Sequence, residues 1–149
     1  MIEAVFEVKV ETFILVGDSA GGNLVCGLTY WLIESKKQLP KFLSLCYPAM
    51  YLRPDSYSPS MLYALDDLFM NYSALRGVIS SYLNEDDKPN EDPYISPAVI
   101  DDPDVIAQMP KTIVYVGTHD PLFDDAVRFV AKLRLTNQQN QWASLHDII

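Results

Sequence analysis

Residues 12–16 read Thr-Phe-Ile-Leu-Val, a continuously apolar, β-prone run that leads straight into a glycine-rich turn. Such a run predicts a parallel strand covered on both faces, because strands of that kind lack the polar alternation of a half-solvated sheet. Residues 42–47, stopped by Pro48, and residues 111–117 repeat the signature. Residues 142–149 are read as the start of a fourth strand. Helices are expected over 23–36, with Lys36 and Lys37 complementing the dipole at its end, over 62–83 with Gly77 dividing it, and over 124–135. Residues 50–59 read as loop, and residues 84–110, rich in proline and acids, as a surface loop pinned by small pieces such as Tyr94-Ile95. Residues 2–10 alternate apolar and charged positions, a half-exposed strand by period. Strands separated by helices define an α/β class, a parallel sheet of about four strands flanked by helices.

The chain has 149 residues, 49% of them hydrophobic, and a formal net charge of -9. One domain over 1–149 is expected, with 1–11 as an atypical N-terminal extension. The acidity and the lack of any basic run longer than Lys36-Lys37 give nucleic acid or an anionic membrane nothing to hold and disfavour both as partners. No apolar run is long enough to span a bilayer, which together with a non-basic N-terminus gives a soluble, cytoplasmic expectation. Cys26 and Cys46 sit in apolar stretches and are expected to be buried free thiols.

Chemistry concentrates in Gly17-Asp18-Ser19-Ala20-Gly21-Gly22-Asn23-Leu24. Gly-x-Ser-x-Gly between a strand and a helix is the context of a nucleophile elbow, in which flanking glycines make room for a sharp turn and Ser19 stands at the strand tip. Gly17 and Gly21 are the expected glycines of that turn. The Ala20 N–H then offers one half of an oxyanion hole. The competing reading, a phosphate-binding turn, lacks both the Gly-x-Gly-x-x-Gly spacing and a Walker lysine. Asp120, just past residues 111–117, is the candidate acid, and it equally suits the N-cap of the following helix. Of the two histidines, His119 precedes the acid and reads as a loop residue. His146 follows it and is the weaker candidate base. No metal or cofactor is implied.

Three blocks resemble the hormone-sensitive lipase family of α/β hydrolases: the elbow, then Asp92-Pro93-Tyr94-Ile95-Ser96-Pro97, then His119-Asp120-Pro121-Leu122-Phe123-Asp124-Asp125 with Phe129 and Lys132-Leu133-Arg134 trailing. The resemblance implies a partial α/β-hydrolase fold and hydrolysis of carboxylic esters, including acylglycerols, by a Ser-His-Asp triad. It also implies contact with a lipid-droplet surface for the whole protein. In the family a His-Gly-Gly-Gly loop lies upstream of the nucleophile, and the catalytic histidine follows the acid by about thirty residues. Neither falls within this sequence. The expectation is therefore a C-terminal catalytic half without its base, and the alternative is a non-catalytic fragment that binds an acyl group or a partner.

Overall fold

The computed structural model describes residues 10–53, 57–68 and 70–136, together with the backbone of 144–148. The alternating segment expected over 2–10 lies almost wholly outside the described residues. The elements run β1 (Ile14–Asp18), α1 (Ala20–Glu34), β2 (Phe42–Cys46), α2 (Pro59–Tyr63), α3 (Tyr72–Tyr82), a 3-10 turn (Pro97–Val99), α4 (Pro103–Gln108), β3 (Lys111–Gly117), α5 (Phe123–Thr136) and β4 (Ser144–Ile148). All neighbouring strands are parallel, in the order β1-β2-β3-β4. The expected α/β class and strand count are thus observed.

A sheet whose strands follow one another in sequence, joined by right-handed crossovers, receives every crossover on the same face. The side chains follow that rule. On β2 and β3, Leu43, Leu45, Val114 and Val116 are fully buried and alternate with half-buried Phe42, Ser44, Cys46, Ile113 and Tyr115. The buried row packs against Val25 and Cys26 of α1, Val105 and Ile106 of α4, and Phe129, Val130 and Leu133 of α5. On the other face of β1, Ile14 and Val16 remain 60% and 64% exposed. The expectation of strands covered on both faces is corrected here. An apolar run shows that a strand suits burial, and it does not show that the same residues supply both covering layers.

The helix expected over 62–83 is two. Residues 64–71 break it, so Asp66 and Asp67 lie in the break, whereas Gly77 sits inside α3 with open space where a Cβ would project. The break has a tertiary cause. The Ser58 hydroxyl accepts from Met61 N to start α2, and the Ser60 N–H donates to Asp124 Oδ2 at 2.7 Å, which fixes α2 beside the first turn of α5. α3 starts afresh with Asn71 Oδ1 accepting from Ala74 N. Residues 84–110 form the expected pinned loop, with the 3-10 turn and α4 as additional local structure. Lys132 of α5 donates to the carbonyls of Ala98 and Ile100 and pairs with Asp101 at 2.6 Å, holding that loop to the helix layer.

Both cysteines are free thiols. Burial pushes the Cys26 thiol up to about 12, while Cys46 is half-buried on the less covered face of the sheet. No helix among the described residues is long and apolar enough to cross a membrane.

The two faces predict unequal sensitivities. Leu45→Ala, which empties a fully buried site on the covered face, is expected to cost about 2–5 kcal/mol in urea denaturation. Val16→Thr on the exposed face is expected to change stability by less than about 0.5 kcal/mol.

Candidate active site

β1 ends at Asp18 and α1 begins at Ala20, leaving Ser19 alone to reverse the chain. Its backbone takes φ 49° and ψ -119°, a combination that a side-chain-bearing residue keeps only when its surroundings impose it. The imposition is visible as hydrogen bonds. Ser19 N–H donates to the Cys46 carbonyl at 2.9 Å, and the Ser19 carbonyl accepts from Gly22, Ala49 and, at 3.3 Å, Asn23. The end of β2, the loop after it and the first turn of α1 are therefore all tied to the same residue. Among the described residues nothing hydrogen-bonds the Ser19 hydroxyl, and no acceptor takes the Ala20 N–H at the start of α1.

The glycines of the turn divide unequally. A Cβ on Gly17 would run into the backbone of Gly21, with the Gly21 carbonyl carbon at 2.5 Å and Gly22 N at 2.8 Å. One on Gly22 would lie 2.7 Å from Pro48 Cβ. Gly21, expected as the second required glycine, has its nearest neighbour at 3.7 Å. The required pair is Gly17 and Gly22, because the crowding is set by how closely the start of α1 passes over Gly17 and against Pro48. The signal was present in the doubled glycine.

Asn23 is a further site residue that the pattern did not single out. It is 2% exposed, and its amide donates to the carbonyls of Ala49 at 2.7 Å and Ile95 at 2.8 Å. Ala49 in turn donates to Ser19 O, so Asn23 braces the elbow from behind. The Asp92–Pro97 block is explained by the same docking: Ser96 Oγ accepts from Leu52 N, and the Tyr94 ring meets Tyr30 of α1 edge-on at 5.0 Å. Tyr47, at the tip of β2 between β1 and β3, is a second strained residue with φ 36°.

Ser19, Leu24, Leu52, Leu75, Ile79 and Leu122 are among the residues lining a cleft of about 150 Å³ whose walls are almost wholly apolar. Leu122 brings the loop after β3 into that wall, and Asp120 lies two residues before it. Asp120 is half-buried, and Oδ1 accepts from Leu122 N at 2.8 Å. α5 begins at Phe123, so Asp120 stands ahead of the N-cap position and does not fill the N-cap role considered for it; its one bonded oxygen instead closes the turn that leads into the helix. Among the described residues nothing hydrogen-bonds Oδ2. Burial holds the Asp120 carboxyl above its ordinary range, with the Leu122 N–H opposing the shift and Asp67 adding to it.

The histidines separate. His119 is an exposed loop residue, its Nδ1 3.3 Å from Thr118 Oγ1 and its ring 6.4 Å from that of Tyr63. The backbone of His146 lies within β4, in register with Tyr115. Asp18, Cys46 and Tyr115 share that register line, so β4 is three strand spacings from β1, ~14 Å at the usual interval. Among the described residues no group of histidine, cysteine, aspartate and glutamate is arranged to hold a metal ion.

Gly22→Ala is expected to destabilise the protein by about 1–3 kcal/mol through the Pro48 clash. Gly21→Ala is expected to be neutral or stabilising by up to about 1 kcal/mol, since it only raises helix propensity. Thermal unfolding of the two variants distinguishes them. A carboxyl that binds its proton more tightly when folded adds stability below the unfolded pKa and loses it as pH rises through the folded one. Asp120→Asn, which keeps an acceptor for Leu122 N, is therefore expected to gain stability relative to the parent as pH rises from about 4 to about 7. Urea midpoints across that range check it.

Residues 3–148 match the family model described as the alpha/beta hydrolase fold. An esterase of Acinetobacter venetianus is 34% identical over 141 residues, spanning 88% of this chain and 44% of that protein. An esterase of Gibberella moniliformis is 26% identical over 87% of this chain and 40% of its own. Among solved structures, carboxyl esterase 2 of Tuber melanosporum superposes with a TM-score of 0.81 at 24% identity, covering 97% of this chain and 46% of that one. An esterase from the bacterial hormone-sensitive lipase family gives 0.74 at 25% identity, covering 90% and 42%. The chain spans less than half the length of each of these relatives. With the strand–elbow–helix geometry around Ser19, the match over nearly all of its length makes this chain a member of the α/β hydrolase fold family, of the kind that resembles hormone-sensitive lipase.

Proposed function

We propose that this chain carries the nucleophile, the acid and part of the oxyanion hole of a carboxylic ester hydrolase. The observation that carries the reading is Ser19 held in a strained turn with its hydroxyl unpartnered and facing an apolar cleft. Strain of this kind, worth about 1–3 kcal/mol, persists where surrounding structure over-determines it, and such positions cluster at active sites. The esterases among the relatives support the chemistry.

In this reading the Ser19 oxygen attacks the ester carbonyl while a histidine accepts its proton. The Ala20 N–H stabilises the resulting oxyanion. Collapse expels the alcohol, which takes the proton back from the histidine, and water then hydrolyses the acyl-serine by the same route. Asp120 Oδ2 orients the histidine and stabilises its charged form. The cleft, with Leu52, Leu75, Ile79 and Leu122 in its walls, receives the apolar part of the ester. An acyl chain fits such a wall, and acylglycerols and contact with a lipid surface are the extension of this reading to a whole protein.

A base must come within hydrogen-bond reach of the nucleophile. The in-strand backbone position of His146 weighs against it, and we assign the base to a histidine outside the described residues. The reading in which these residues only bind an acyl group is favoured by no separate observation.

p-Nitrophenyl butyrate tests both parts. The 149-residue chain alone is expected to show turnover no higher than its Ser19→Ala variant. When it replaces the matched segment of the Acinetobacter venetianus esterase, hydrolysis is expected, falling by at least about a thousandfold on Ser19→Ala and comparably on Asp120→Asn. Turnover that survives Ser19→Ala contradicts the nucleophile. Turnover by the chain alone that is lost on His146→Ala contradicts the assignment of the base.

A further inference from the structure

The peptide between Pro121 and Leu122 carries two bonds of different reach. Its N–H donates to Asp120 Oδ1 at 2.8 Å, and its C=O accepts from Ser60 Oγ of α2 at 2.9 Å. A peptide unit is planar, with its N–H and C=O pointing in fixed opposite directions, so whatever orients one orients the other. Ser60 is well placed to do so. It is 9% exposed, and its single proton goes to Pro121, so the Ser58 hydroxyl 3.0 Å away donates to it, as does Asp124 N at 3.3 Å. The proton and both lone pairs of this buried hydroxyl are thereby engaged. Among the described residues, the hydrogen bonds that tie residues 120–124 to a sequence-distant part of the chain all involve Ser60, and the others are local to the turn. The Leu122 side chain also anchors the loop, against Met61, Leu75 and Ile79, but an apolar contact has no direction and leaves the peptide plane free to rotate.

We propose that Ser60 is a positioning residue for the acid: its hydroxyl fixes the Pro121–Leu122 peptide plane, and that plane sets the direction of the Asp120 carboxyl. The inference rests on the reading of Asp120 as the triad acid and adds that its aim is controlled from α2. Without the hydroxyl, the Pro121 carbonyl and the Asp124 N–H lose their partner, and the peptide turns to find another, taking the Leu122 N–H away from Oδ1. Hydrogen bonds in series also polarise one another, so the Ser60 bond strengthens the donation to Asp120 that follows it. A displacement of about 1 Å in a catalytic group can cost on the order of a hundredfold in rate. Ser60 lines no part of the apolar cleft, so the loss falls on turnover and spares substrate binding.

Two measurements test it. In the 149-residue chain, Ser60→Ala is expected to speed amide hydrogen exchange of Leu122 by at least about tenfold. In the hybrid with the Acinetobacter venetianus esterase, Ser60→Ala is expected to lower kcat for p-nitrophenyl butyrate by at least about tenfold while KM stays within about twofold. Added to Asp120→Asn, the same change is expected to cost less than about a further twofold, because the carboxyl through which it acts is already gone. Asp102→Ala, which removes the N-cap of α4, a helix with no residue in the cleft wall, controls for lost stability and is expected to leave kcat within about twofold. Unchanged Leu122 exchange overturns the inference. So does a Ser60→Ala loss that persists undiminished in the Asp120→Asn background, or one that falls on KM. An Asp120→Asn hybrid that is crippled beside a Ser60→Ala hybrid that is not overturns the inference alone, whereas an Asp120→Asn hybrid with full activity overturns the reading of the acid itself.

Discussion

The site depends on one close approach. The backbone at the start of α1 passes so near Gly17 that no side chain fits there, and the peptide between them is left to Ser19, whose φ of 49° is locked by bonds to Cys46, Ala49 and Gly22. That packing positions everything else. It sets α1 against Pro48, places Asn23 where its amide can hold the carbonyls of Ala49 and Ile95, and so draws the loop after β2 into the walls around the serine and the Asp92–Pro97 block against α1. A relaxed turn would free the serine backbone and lose the cleft together.

The acid side is built by the same economy of elements. One Asp120 oxygen makes the turn into α5, and among the described residues nothing hydrogen-bonds the other, which leaves it available for the role proposed for it. Asp124 ties the loop to α2 through Ser60, and Ser60 Oγ donates to the Pro121 carbonyl at 2.9 Å. Asp125 is 2% exposed; burial raises its carboxyl, which Arg128 and Arg53 oppose, and among the described residues its Oδ2 has no hydrogen-bond partner. Two carboxyls held above their ordinary range within six residues are a cost in stability at neutral pH that folding for stability alone would not select.

What the sequence revealed follows from the range of the interactions involved. β3 was legible to the residue, and β2 to within one, because a short apolar run bounded by Pro or Gly is a local signal. Gly-x-Ser-x-Gly located the elbow for the same reason. The split of 62–83 into two helices was not legible, since it turns on Ser60 meeting Asp124 sixty-four positions away. Nor was the transfer of the steric requirement from Gly21 to Gly22, which is decided by Pro48 from the next strand. Coverage of only one sheet face among the described residues was hidden for a related reason: Ile14 and Val16 have the character of buried residues, and an apolar run does not say which face the neighbouring elements will cover.

The central claim is that Ser19 is the nucleophile, and covalent capture tests it most directly. The esterase in which this chain replaces the matched Acinetobacter venetianus segment would be treated with a fluorophosphonate, and the modified peptide mapped by mass spectrometry. The account predicts a single adduct on Ser19, absent in Ser19→Ala. An adduct on another serine, or incorporation that persists undiminished in Ser19→Ala, would contradict it.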